Sequence, residues 1–122
     1  MTSLVTDQGL ADIVGSIVAD NAMKYLGWGG GSGQDVTAID LAAPFSDPRA
    51  VGVRAIVTTN TAGDTYQVTG TIAATSNRAV TEVGLFSDPL GAVMDIYGDF
   101  AEIDLETNDA IAFTIDVIVD QA

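Results

Sequence analysis

Carboxylates are the chemistry this chain has to offer. Asp and Glu together number 17 against 4 Lys and Arg, His and Cys are absent, and the formal net charge is -13. Without imidazole or thiol there is no histidine acid–base catalysis, no ordinary zinc site and no disulfide. A serine nucleophile has no base to activate it, because Lys24 is the only lysine. Asp95 and Asp99 are a candidate acid pair for sugar hydrolysis, which needs carboxyl groups roughly 5–10 Å apart across a cleft. Nothing in the sequence builds that cleft. Glu102, Asp104 and Glu106 alternate, so on a strand they share a face, and oxygen ligands of that kind suit calcium. Their spacing is not that of a calcium loop, and an outer face that discourages edge pairing is the preferred reading.

Glu82 is different, because it sits within the apolar segment Val80, Thr81, Glu82, Val83, Gly84, Leu85, Phe86. Strand alternation places Val83 and Leu85 on one face and Val80, Glu82, Gly84 and Phe86 on the other. A buried carboxylate must be paired or protonated. Arg54 is the first choice of partner, with Arg49 and Arg78 as alternatives, and Gly84 leaves room beside the acid. Glu82, Arg54, Gly84, Phe86 and Trp28 are therefore read as structural anchors. Trp28 adjoins the run Gly29, Gly30, Gly31, Ser32, Gly33. That run is not a phosphate loop, since no Gly-Lys-Ser/Thr follows and no helix pattern opens after it. It reads as a flexible connection, with Trp28 as a core or interface anchor.

These residues need elements to hold them. Leu10, Ile13, Val14, Ile17 and Val18 recur at helical spacing, which predicts a helix from about Asp7 to Asp20 capped by Thr6 or Asp7. Gly9 and Gly15 weaken it, so it must dock on its own domain or on a neighbour. A short strand is expected at Met23 to Trp28 and another at Val36 to Ile39; Pro44 and Pro48 then oppose continuous pairing. Val51, Val53, Ala55 and Val57 alternate as one strand, and Tyr66, Val68, Gly70 and Ile72 as the next. Turns are expected at residues 60–63, 75–78, 87–91 and 106–109. The phase slip between Gly98 and Ile103 predicts a bulge near Gly98 or Ala101. Ile111, Phe113, Ile115, Val117 and Val119 close the chain.

The pattern is that of a mainly β protein: a single antiparallel β-sandwich or barrel-like domain with an N-terminal helix or arm. Residues 1–33 are assigned to the helix and glycine-rich connection, and residues 34–122 to the β domain. The acidity opposes binding to nucleic acid or to anionic membrane surfaces. No apolar run has membrane-spanning length, and no secretory signal pattern is visible. No cofactor or metal is expected, and an enzyme is disfavoured.

One resemblance supplies a functional expectation. The ordered pieces are Gly27, Trp28, Gly29, Gly30, Gly31; then Arg49, Val51, Gly52; then Tyr66, Gln67, Val68, Thr69, Gly70, Thr71, Ile72; then Thr81, Glu82, Val83, Gly84, Leu85, Phe86; and finally Asp109, Ala110, Ile111, Ala112, Phe113, Thr114. Their order resembles small virion structural proteins of tailed bacteriophages, over residues 23–119. The resemblance implies a non-enzymatic capsid decoration (cement) protein, a homotrimer bound to the major capsid protein on the outer virion surface and assembled in the host cytoplasm. A tail or tail-fibre-associated adaptor is the alternative. The low basic content and the aspartates at Asp95 and Asp99 depart from that pattern.

Overall fold

Period-two alternation, rather than helical spacing, governs most of the chain, and the strands follow it. The computed structural model describes residues 4–19 and 23–119. Among them are one helix, α1 (Asp7–Ala19), and seven strands: β1 (Tyr25–Gly29), β2 (Ala50–Val51), β3 (Val53–Val57), β4 (Thr65–Ala73), β5 (Arg78–Phe86), β6 (Met94–Leu105) and β7 (Ala110–Ile118). The strands form two antiparallel sheets, ordered β2-β1-β5-β6 and β3-β4-β7. The result is a mainly β, sandwich-like domain and not a closed barrel. Leu26, Trp28, Val80 and Leu85 from the first sheet meet Tyr66, Val68 and Ile72 from the second in a buried core.

The expected single strand from Val51 to Val57 is split. Val51, with Ala50 before it, pairs with β1, and from Val53 onward the chain pairs with β4 in the other sheet. Gly52 makes the crossing. Its amide donates to Lys24 O at 2.7 Å, and a Cβ there would lie 2.8 Å from Leu26 Cδ1 and collide with Val68 Cγ1. Only glycine allows the backbone to pass this close to the core.

The helix docks within its own domain. Thr6 Oγ1 accepts the Gly9 amide at 3.1 Å, a side-chain N-cap. Leu10 and Val14 are buried, and Ile17 and Val18 pack against the core. Ile13, expected in the same apolar stripe, is 44% exposed instead. Arg54 Nη1 donates to Val18 O at 2.6 Å, satisfying a carbonyl in the last helical turn and fastening the helix to β3. The expected helix end at Asp20 lies outside the described residues.

Two further expectations are corrected, the strand at Val36 to Ile39 and the flexible glycine connection. Val36 to Ile39 form no strand; the segment is a turn in which Val36 is fully exposed. Pro44 makes only an isolated bridge, to Gly29. The glycine run is not a loose connection. Gly29 belongs to β1, and Gly30 donates to Ala43 O at 2.9 Å. A division at residue 33 therefore leaves β1, which lies between β2 and β5, on the helix side.

Candidate functional site

The strand carrying Glu82 does not keep simple alternation. Val80 pairs with Ile103 and Glu82 with Asp99, so Thr81 alone opposes Phe100, Ala101 and Glu102. This is the bulge expected near Ala101. It turns Val80 into the core between the sheets while Glu82 faces the outside of the first sheet, beneath the segment of residues 30–49. The expectation that Val80 and Glu82 share a face fails for this reason.

Glu82 is fully buried. Its Oε1 accepts from the Ala42 amide at 3.0 Å and from the Tyr97 hydroxyl at 2.9 Å. Its Oε2 accepts from the Ala43 amide at 2.9 Å and the Gly31 amide at 3.1 Å. The expected ion pair with Arg54 is not formed: that arginine lies in the other sheet and holds the helix. Arg49 and Arg78 are engaged elsewhere as well. Backbone N–H groups satisfy a buried carboxylate as a cation would, at lower desolvation cost than a second buried charge. A sequence scan for cationic partners cannot find them.

The neighbouring glycines fit this clamp. Gly29 pairs directly with Glu82, and a Cβ there would collide with Glu82 Oε2 and the Ala43 carbonyl. Space at Gly84 is taken by others, since a Cβ there would lie 2.8 Å from Met94 Sδ and 3.1 Å from Phe86 Cε1. Phe86 is buried with Leu41 and Met94 in a small second core on this outer face. The Arg49 guanidinium stacks 3.5 Å from the centre of its ring. Arg49 also donates to Asp88 O at 3.0 Å and Gly91 O at 2.7 Å, and burial lowers its pKa against the pull of Asp40 and Asp88.

Trp28 is an anchor of the same kind. Its ring is buried, edge-on to Phe113 at 6.4 Å, and its Nε1 donates to Asp47 Oδ2 at 2.8 Å. Asp47, next to Pro48 in the sequence, is a second buried carboxylate. It accepts from Arg78 Nε at 3.1 Å and from the Thr75 amide at 3.0 Å, with the Thr75 hydroxyl also bonded to it. Burial pushes its pKa up; the bonds from Arg78, Thr75 and Trp28 outweigh this and hold it well below the usual carboxylate range. Asp64 is the third, beyond the reach of pattern reading. The amides of Thr59, Thr61 and Asn60 and the Thr65 hydroxyl hold its pKa down against burial, and in doing so they shape the β3–β4 loop.

Tyr97 borders an open groove of about 450 Å³ lined also by Gln34, Asp35, Val36, Met94 and Asp95. Burial, then its bond to Glu82, pushes the Tyr97 hydroxyl up to about 12, so it is a neutral donor. The acid pair Asp95 and Asp99 holds local structure: Asp95 is bonded to the Ser87 hydroxyl, and Asp99 accepts the Gly33 amide at 3.0 Å. Glu102 and Asp104 bond each other, which raises the Glu102 pKa. Among the described residues no three acidic side chains converge as a metal site, and no helix is long and apolar enough to cross a membrane.

No family model, curated protein or solved structure matches this chain.

Proposed function

We propose that the protein is a structural component of a bacteriophage particle, a capsid decoration protein that binds the outer head surface and stabilises the shell. The use made of its buried acids carries the structural half of this reading. Glu82 and Asp47 direct their carboxylate oxygens at backbone amides and side chains of distant segments of the chain, and Asp64 at the amides of its own loop. Groups committed in this way fix the shape of a surface and are poorly placed to move protons for a substrate. The order of sequence pieces supplies the particle, and the acidic surface suits a basic docking site on the shell. A tail-associated adaptor is the second reading and rests on the same resemblance.

Comparing the protein content of purified particles made with and without this chain tests the proposal. A decoration protein is present in hundreds of copies and its loss lowers the temperature at which heads rupture; a tail part is present in a few copies. Absence of the chain from purified particles would overturn both.

A further inference from the structure

The outer face of the sheet β3-β4-β7 stands out against the charge of the rest of the chain. Solvent-facing sheet surfaces ordinarily carry long charged side chains in alternation with core residues. Here the cross-strand rows are Val53, Thr69, Thr114 and Ala55, Gln67, Asp116. Among the described residues Asp116 is the one charged side chain on this face, and Gln67 Nε2 donates to it at 3.0 Å. The remaining positions are Thr, Ala, Val and Ile, with Val53 71% exposed. By contrast Asp95, Asp99, Glu102 and Asp104 are all exposed along β6.

We infer that a second copy of this chain docks on this face, sheet against sheet about a two-fold axis. The charge distribution selects the occupant. The chain carries a net charge of -13, so copies meeting through most of the surface would bring carboxylates together. The outer face of β3-β4-β7 is where two copies meet with little repulsion, and depletion of charge is the compositional mark of an interface core. Its flat, short side chains suit face-to-face sheet packing, and the same patch on both partners satisfies two-fold symmetry. Strand spacing and rise give roughly 400 Å² of sheet on each side, at the low end of specific interfaces. Pairing is therefore reversible and concentration-dependent.

This inference stands on the face itself and not on the virion reading, whose resemblance implies a trimer. Sedimentation velocity of the purified chain over a range from micromolar to hundreds of micromolar tests it. Expected is a shift toward twice the 12.5 kDa chain mass. Thr114→Glu places a like charge at an exposed position midway along β7 on this face and abolishes the shift, while far-UV circular dichroism and thermal melting stay as in the parent. Asp116→Asn removes the one charge and strengthens association several-fold. A monomer throughout, a trimer, or association that Thr114→Glu leaves unchanged overturns the inference. None of these outcomes bears on whether the chain is found in phage particles.

Discussion

Glu82 shows how much a single side chain can organise. It accepts four hydrogen bonds, and three come from amides of the segment it holds down. Glutamine in its place keeps the shape but must present an NH2 group to one side. Its least costly orientation faces Tyr97, whose hydroxyl can turn to accept, and that still leaves the Ala42 amide without a partner. Glu82→Gln should therefore lower stability by about 2–3 kcal/mol, through an orphaned amide and the loss of charge-assisted bonds. Tyr97→Phe, which removes one bond and leaves the carboxylate its three amides, should cost about 1 kcal/mol. Denaturant unfolding measures both. Faster hydrogen exchange at Ala42 and Ala43 in the glutamine variant would locate the damage, and equal losses in the two variants would contradict this account.

Among the elements, the crossing at Gly52 is the most exposed to test. Gly52→Ala would set a methyl against Leu26 and Val68, at the point where one strand leaves one sheet for the other. The cost should be about 2–3 kcal/mol, the range of overpacked cores, read as a lower denaturation midpoint with an unchanged slope. Removal of packing on the other side is a separate case: Leu10→Ala should cost about 2–4 kcal/mol, because the helix is held by that buried side chain and by Val14. The sequence showed β4 and β7 clearly, since alternation over nine residues is hard to mistake. It hid the split at Gly52, because alternation continues through the crossing. The run at Gly29, Gly30 and Gly31 looked like a linker for a related reason: close backbone approach and flexibility call for the same residue. The partners of the buried acids were the least legible, since Glu82 and Asp64 are held mostly by backbone amides, and backbone groups leave no trace in residue types.

For the molecule as a whole, the same carboxylates act in two opposing ways as pH falls. With a net charge of -13 and, among the described residues, only Arg78–Asp47 at 3.1 Å and Arg49–Asp40 at 4.0 Å as ion pairs, the folded chain repels itself. Glu102, bonded to Asp104 and repelled by it, has a raised pKa. A raised folded pKa means that the folded state binds this proton more tightly than the unfolded one, so stability is gained as pH falls through it. Asp47 and Asp64 have pKa values held below the ordinary 3.8. Their contribution is present in full above that value and is lost as pH falls from about 4 toward and below 2. The two effects place the stability maximum on the acid side of neutrality, above the range in which Asp47 and Asp64 take up protons. Raising salt from about 0.02 M to about 0.5 M shortens the screening length from roughly 20 Å to about 4 Å. Self-repulsion at neutral pH then weakens, and the neutral side of the curve rises toward the maximum. The acid side moves little, because the bonds to Asp47 and Asp64 are short and buried. Thermal melts from pH 2 to 8 at the two salt concentrations read both sides; a melting temperature that falls steadily from pH 7 downward at low salt would mean that repulsion among the surface acids does not limit this fold.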